Sequence, residues 1–245
     1  MNRSRKPSRA IAAALIAAAT AMTAVASAGP TVADETATTP GDGLAALKAR
    51  VTHRIDLRLA ALARLDRRVD RAEHLADEHR DTLSALIDQD VTELTELRTQ
   101  VAEATTREEL RADVESMVQD HRVLVLVLPQ VRLTLVADRE LAAIDRLGQV
   151  HDRLAELIEK AAADGRDTGN AAELLDAMQA QLDAAAAAVS GQVDRLLVIE
   201  PGPDGPAIRS AVDEVRESLR AARQDLRDAI AIARRIRAML RQQAT

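Results

Sequence analysis

Histidines and carboxylates are concentrated in the stretch EHLADEHRD, residues 73–81. His74 and Glu78 are four residues apart, so they would share one face of a helix. Imidazole and carboxylate groups placed in this way are typical zinc ligands. His74 and His79, however, are five residues apart, whereas the two-histidine zinc helix needs a spacing of four. We therefore predict no metal here and interpret the acidic residues as a favourable helix start.

Two further histidines, His121 and His151, fall in the apolar row of one predicted helix. About 45 Å separates them at ~1.5 Å per residue, so they cannot share a site within one molecule. An unpaired imidazole in an apolar row would cost roughly 1–3 kcal/mol. We therefore interpret both as core histidines that are bonded to neighbouring side chains.

Four arginines lie in the final turns of the last predicted helix, and no acidic residue follows Ala229. They are Arg234, Arg235, Arg237 and Arg241. A cluster of this kind is a candidate for contact with an anionic envelope polymer or with lipid head groups. The simpler explanation is that cations at the end of a helix complement its dipole.

The sequence contains no arrangement of groups that indicates catalysis. No serine lies in a Gly-x-Ser-x-Gly turn, and no Gly-rich phosphate loop occurs. Carboxylate pairs are plentiful, but they are ordinary on charged helix surfaces. We predict that the protein is not an enzyme and that it has no cofactor.

Composition excludes several other mechanisms, because the 245 residues include no Phe, Trp, Tyr or Cys. Base stacking on aromatic rings, aromatic cages, disulfides and thiolate metal sites all need residues that this chain lacks. Apolar residues make up 47% of the chain, which is enough for a sizeable core. That core must be built from Leu, Ala, Val, Ile and Met.

The first residues have the pattern of a secretory signal peptide. Four basic residues precede an uncharged run, residues 10–28, that ends in Ala26-Ser27-Ala28. This pattern predicts cleavage after Ala28, with residues 1–28 removed and residues 29–43 forming a flexible leader. The alternative is an uncleaved membrane anchor, but alanine and threonine make the run weakly hydrophobic.

Export and composition together suggest where the protein acts. Arginine greatly outnumbers lysine and alanine is abundant, as expected for a high-GC genome, so we predict a high-GC Gram-positive source. After cleavage, 29 basic residues would remain against 39 acidic ones, a net charge of −10. This balance disfavours broad nucleic-acid binding. The predicted location is extracellular, with the cell envelope as a possible site of association.

Apolar residues recur about every 3.5 residues after residue 43, a spacing typical of helices that pack along a seam. The first such row is Leu44, Leu47, Val51, Ile55, Leu59, Leu62, Leu65, Val69 and Ala72. Similar rows predict five helices, at 44–73, 77–104, 106–164, 170–197 and 207–243. The fold class is therefore all-α.

Capping signals support these limits. Thr105 with Glu108, Thr106 with Glu109, and Asn170 with Glu173 all fit a capping box. Gly165 suits the end of the third helix, and Pro206 suits the first turn of the fifth.

The third predicted helix is about twice as long as its neighbours, so its first half would pack on the first hairpin and its second half on the second hairpin. The first and second helices carry opposite net charges, as do the fourth and fifth, which favours pairing within each hairpin. We predict elongated antiparallel bundles: two three-helix bundles that share one long central helix kinked at Pro129. The corresponding domains are residues 44–128 and 129–245.

The centre of the third helix, VLVLVLPQVRLTLV at residues 123–136, is apolar on every side. Such a segment must be buried all round, and six residues before a proline are too few to cross a bilayer. A strand is the alternative, because β-branched residues are frequent here. We predict a helix, buried where the two bundles meet.

These features resemble a group of uncharacterised secreted helical proteins of high-GC Gram-positive bacteria. The signal peptide, LKARVTHRIDLRLAALARLDRRV and the segment at residues 86–147 carry the resemblance, which covers about residues 44–160. It implies export and helical structure and brings no activity or functional residues. That group has aromatic residues at the counterpart of residues 120–128, where this chain has His121 and Leu124. An aromatic-dependent role is therefore not implied.

The sequence thus favours a secreted, non-enzymatic helical-bundle protein that acts by contact with a protein or an envelope polymer. The alternative function is an amphipathic protein on a membrane surface, whose Leu and Ala seams lie against lipid. A liposome flotation assay would distinguish the two.

Overall fold

A computed structural model describes residues 40–119 and 123–242. The described residues belong to one compact unit, Thr38–Thr245. Seven α-helices and one short π-helix are present in these ranges, and the described residues contain no strand. They are α1 (Pro40–Asp70), α2 (Asp77–Glu103), α3 (Arg107–Gln119), a π-helix (Val123–Val127), α4 (Leu128–Ala163), α5 (Gly169–Val189), α6 (Gln192–Leu197) and α7 (Gly205–Gln242). The all-α prediction is confirmed.

The first predicted apolar row is the buried face of α1. Five of its members are buried: Val51, Ile55, Leu62, Leu65 and Val69. The other members, Leu44, Leu47, Leu59 and Ala72, are partly buried against the same cluster. The row therefore faces the core along the whole helix, as the 3.5-residue spacing predicted.

The central segment differs from the single helix that we predicted between 106 and 164. It is divided into α3, the π-helix and α4, and residues 120–122 lie outside the described ranges. Val127 has φ −60° and ψ −43°, so the backbone stays helical from the π-helix into α4. Pro129 lies in the first turn of α4, directly after the π-helix, so a residue with no backbone N–H stands where the helical hydrogen-bond pattern changes. The single predicted helix is therefore divided, with Pro129 in the first turn of α4. The kink at Pro129 stays a prediction, while the helical rather than strand prediction for residues 123–136 is confirmed.

The predicted helix at 170–197 is also interrupted. Helix α5 ends at Val189, Gly191 adopts a left-handed conformation with φ +68°, and α6 follows at Gln192. Glycine adopts positive φ without the steric penalty of a Cβ. The apolar row continues through Val193 and Leu196, so the spacing alone did not reveal the break.

The capping predictions have different outcomes. Glu109 N–H donates to Thr106 Oγ1 at 3.2 Å and Thr106 N–H donates to Glu109 Oε2 at 3.0 Å, so this capping box is confirmed. Gly165, with φ +77°, follows α4 as predicted. The Asn170 box is wrong, because α5 already begins at Gly169. The Thr105 box is also wrong, because Thr105 N–H donates to Glu109 rather than to Glu108.

Two clusters of buried aliphatic residues form the core. One joins α1, α2 and α3 and reaches Val131 on α4. The other joins α4, α5, α6 and α7. The predicted pairing of oppositely charged helices is confirmed, because α1 packs on α2 and α5 packs on α7. Within the described ranges, no helix is both long enough and apolar enough to span a membrane.

Candidate anion-binding surface and buried polar groups

The arginines at the end of α7 are all exposed, and three of them form one stripe. Arg234, Arg237 and Arg241 are separated by three and four residues, which places them on one face of the helix. Arg235 lies about 100° around the helix from Arg234. The four predicted arginines therefore divide into a stripe of three and one separate residue.

A groove of about 320 Å³ runs beside this stripe. Arg237 and Arg241 of α7 line it together with Arg166, which follows α4. Leu157 and Leu240 provide its apolar floor, and Leu157 is 50% exposed. We call this groove, with its three arginines and two leucines, the arginine groove.

The cations of the arginine groove are only partly neutralised. Arg166 Nη2 lies 3.1 Å from Asp164 Oδ2. Within the described part of the chain, neither Arg237 nor Arg241 forms an ion pair. Three of the five earlier arginines of α7, by contrast, do: Arg216 with Asp213, Arg220 with Glu217, and Arg223 with Glu140. The groove is thus a cationic surface with an apolar floor, suited to phosphate or carboxylate groups.

The sequence alone does not indicate Arg166, because this residue lies in the loop after α4, far along the chain from α7. The only local signal is its position just beyond the helix-ending Gly165. That position does not indicate that Arg166 lies beside the end of α7.

A second polar centre connects the α1–α2 loop to α4. Asp138 of α4 is 3% exposed, and its Oδ2 accepts the backbone N–H of Ala76 at 2.8 Å. His79 of α2 donates from Nδ1 to the same carboxylate, 2.8 Å from Oδ2. Because Ala76 is the N-cap of α2, α4 supplies the anion that the positive end of α2 favours.

Arg80 holds the other side of this loop. Its Nη2 donates to the Ala72 carbonyl at 2.7 Å, and its Nη1 donates to the Val69 carbonyl. The Val69 carbonyl belongs to the last turn of α1 and the Ala72 carbonyl lies two residues beyond its end, where acceptors lack intrahelical partners. The EHLADEHRD stretch is thus a structural connection between helix ends.

Two further histidines, His74 and His151, have separate partners. His74 Nε2 lies 3.0 Å from Arg146 Nη2, and His151 Nδ1 lies 3.3 Å from Asp152 Oδ1. His151 is half-buried and bonded to a neighbour. His121 lies outside the described residues, and so do Ala26 and Ala28 of the predicted cleavage site. Among the described residues, no group of three or more His, Cys, Asp or Glu could hold a metal ion.

Glu140 forms a third polar contact, between α4 and α7. It is 5% exposed, and its Oε1 accepts from Arg223 Nε at 3.1 Å and from Nη2 at 2.9 Å. Burial raises the pKa of Glu140 above its usual value, and the hydrogen bond and charge of Arg223 oppose this rise without cancelling it. The carboxyl therefore holds its proton more tightly in the folded protein than in the unfolded chain.

This pKa shift has a consequence for stability. A raised carboxyl pKa stabilises the fold at low pH, and this contribution is lost as pH rises through the interval between the unfolded and folded pKa values. Glu140→Gln, which keeps an oxygen acceptor for Arg223, should therefore be increasingly favoured over the parent as pH rises from about 4 to 7. Urea unfolding at several pH values measures this difference. The matched control is Glu159→Gln, an exposed change on α4; parallel pH curves for the parent and Glu140→Gln would contradict the prediction.

Comparison of the chain with models of protein families, with curated proteins and with solved structures gives no match.

Proposed function

We propose that this is an exported, non-enzymatic helical-bundle protein that acts by contact, and that the arginine groove binds an anionic polymer of the cell envelope. The observation that carries the proposal is the convergence of Arg166 with Arg237 and Arg241 from separate elements. Dipole complementation explains cations on one helix end. It does not explain why a third arginine from another element lines the same groove.

Charge and position support a polymer as the ligand. Guanidinium groups bind phosphate and carboxylate oxygens through paired N–H donors. Arg237 and Arg241 lie one helical turn apart on an exposed face, so they can contact successive anionic groups of a repeating chain. Because such contacts are exposed, binding should weaken as salt increases.

The alternative function is association with an anionic membrane surface. Leu157 and Leu240 in the floor of the groove favour it, because an apolar patch beside arginines resembles the boundary that interfacial helices present to lipid. This alternative requires Leu157 to enter the acyl region. Binding to liposomes should then fall when Leu157 is replaced by serine.

The test compares two double variants on one helix. Arg237→Gln with Arg241→Gln removes the free charges of the groove. Arg216→Gln with Arg220→Gln removes two arginines that are already paired with Asp213 and Glu217. At about 1 kcal/mol per surface cation, the groove variant should bind purified cell wall roughly tenfold to thirtyfold more weakly at low salt, and the control should stay close to the parent.

Flotation with liposomes that contain anionic lipid is measured in parallel. Cell-wall binding that is lost only in the groove variant supports the polymer. Co-flotation that depends on anionic lipid and on Leu157 supports the membrane instead. Equal losses in both double variants would mean that net charge alone governs binding, and the arginine groove would then have no specific role.

The finer architecture is part of the same proposal. We infer two three-helix bundles, α1–α2–α3 and α4–α5–α7, arranged around the central segment. The two aliphatic clusters and the packing of α5 and α7 on α4 support this division. Membership in the group of secreted proteins that the sequence resembles also remains a proposal, as does an extracellular location.

A further inference from the structure

A groove of about 300 Å³ runs between the first half of α1 and the helix α3. This volume lies at the lower end of the range for small-molecule sites, about 300–1,000 Å³. Its floor is aliphatic and consists of Leu47, Val51, Leu110 and Val114. The charged part of its lining is cationic and consists of Arg50, Arg54 and Arg111. No acidic residue is among the described residues that line this groove, which we call the α1–α3 groove.

The arginines of the α1–α3 groove are poorly neutralised. Within the part of the chain that the structure describes, the Arg54 side chain forms neither a hydrogen bond nor an ion pair. Arg50 uses only Nε, which donates to the Ala46 carbonyl of its own helix at 3.3 Å. Arg111 Nη1 lies 3.9 Å from Glu108 Oε1, and both side chains are exposed, so this pair is weak. All three guanidinium groups therefore keep N–H donors for an anion.

Two of these arginines belong to a row of like charges on α1. Arg50, Arg54 and Arg58 follow one another at a spacing of four residues, and like charges at this spacing destabilise a helix. Burial lowers the pKa of Arg58 below its usual value, and the charge of Arg54 lowers this pKa further. Residues 43–55 of α1 include no acidic residue. An anion in the groove would therefore relieve a repulsion that α1 itself does not relieve.

The nearest acidic residues have other surroundings. Asp56 of α1 pairs with Arg98 of α2, with 3.2 Å between Oδ1 and Nε. Glu109 and Asp113 of α3 line a separate pocket beside the end of α2. Helix α3 thus places these two carboxylates near α2 and Arg111 near α1. The α1–α3 groove keeps a positive charge that is complementary to an anionic ligand.

We propose that the α1–α3 groove binds a single-chain aliphatic carboxylate, with the carboxylate on Arg54 and the chain on the aliphatic floor. The paired N–H donors of a guanidinium group match the two oxygens of a carboxylate. The floor residues are buried or half-buried, so they can contact a chain that enters the groove but not the surface of a bilayer. The small volume favours a carboxylate over the larger head groups of lipids. This site is separate from the arginine groove and goes beyond the function proposed for it.

Isothermal titration calorimetry with sodium octanoate, kept below its micelle-forming concentration, measures binding. Sodium acetate provides the charge without the chain, and 1-octanol provides the chain without the charge. We expect saturable binding of octanoate, and affinity that rises about fourfold per added methylene group from butanoate through hexanoate to octanoate. No binding of octanoate, or equal affinity for octanoate and either control, would overturn the proposal.

Variants then locate the site. Arg54→Gln should weaken octanoate binding at least about tenfold, because it removes a charged hydrogen-bond donor. Arg64→Gln makes the same change at an exposed position of α1 outside the groove and should leave binding unchanged. Without octanoate, Arg54→Gln should melt no lower than the parent, because the substitution removes a repulsion. A lower melting temperature, unchanged octanoate binding, or equal weakening by Arg64→Gln would refute this location.

Two further measurements test other occupants of the groove. If a second copy of the chain covers the groove, sedimentation velocity shows a dimer that dissociates in Arg54→Gln. If a bilayer covers it, flotation with anionic liposomes is lost in Arg54→Gln and kept in the double variant of Arg237 and Arg241. Either result would overturn the carboxylate assignment. A protein whose oligomeric state and flotation do not change in Arg54→Gln, while its octanoate binding weakens, supports it.

Discussion

Asp138→Ala is expected to lower the free energy of unfolding by about 2–4 kcal/mol. The carboxylate accepts the N–H of Ala76 and the Nδ1–H of His79, and Asp138 is 3% exposed. Each buried donor left without a partner costs roughly 1–3 kcal/mol, and a charged acceptor makes the lost bond stronger. Helix α2 also loses the anion at its positive end.

Urea unfolding followed by circular dichroism measures this change. Asp145→Ala is the matched control, because Asp145 is exposed on α4 and its replacement should change stability by no more than about 0.5 kcal/mol. Asp138→Asn should fall between the parent and Asp138→Ala, since its amide oxygen can still accept one bond without the charge. Equal stability of Asp138→Ala and the control would show that the α1–α2 connection is held by other contacts.

Asp138 also shows what the sequence could not predict. Hydrophobic periodicity predicts which apolar residues are buried, and it predicts that a carboxylate among them is exposed to solvent. Asp138, Glu140 and Gln130 are nevertheless buried, because each finds a partner far away in the chain. Their burial depends on tertiary contacts between residues far apart in the chain, which no pattern in the neighbouring sequence reveals.

The helices themselves were largely predictable. The helix limits predicted at 77–104 and 207–243 agree within two residues with α2 at Asp77–Glu103 and α7 at Gly205–Gln242. This agreement is expected, because apolar rows and turn residues mark the ends of a helix locally. The breaks were missed for two different reasons. At Gly191 one left-handed residue leaves the apolar spacing intact, and at Val123–Val127 every residue is apolar, so no row distinguishes a π-helix from an α-helix.

The candidate site was predicted only in part. Arg237 and Arg241 were identified from the lack of acidic neighbours after Ala229. The groove also needs Arg166 and the exposed Leu157, which reach it from other elements. The arginine cluster on one helix was therefore predicted from the sequence, but the groove that Arg237 and Arg241 line was not.

The core of this protein makes the cost of removing an aliphatic side chain large. In a chain with no aromatic residue, the core is made of closely packed aliphatic side chains, which relax only partly into the space that a missing leucine leaves. Leu62 of α1 is completely buried, whereas Leu57 of the same helix is 58% exposed. Comparing Leu→Ala at these two positions therefore separates the effect of lost burial on stability from the effect of helix propensity.

Leu62→Ala should lower the free energy of unfolding by about 2–5 kcal/mol, which combines lost burial with the cavity that remains. For a chain of this size, the corresponding fall in melting temperature is roughly 4–20 °C. Leu57→Ala should change stability by less than about 0.5 kcal/mol, because alanine favours helix slightly more than leucine does and little area is lost. Thermal and urea unfolding of both variants measure the difference. Similar losses at both positions would mean that α1 presents another face to α2 and α3, and the 3.5-residue row that predicted this helix would then not describe its buried side.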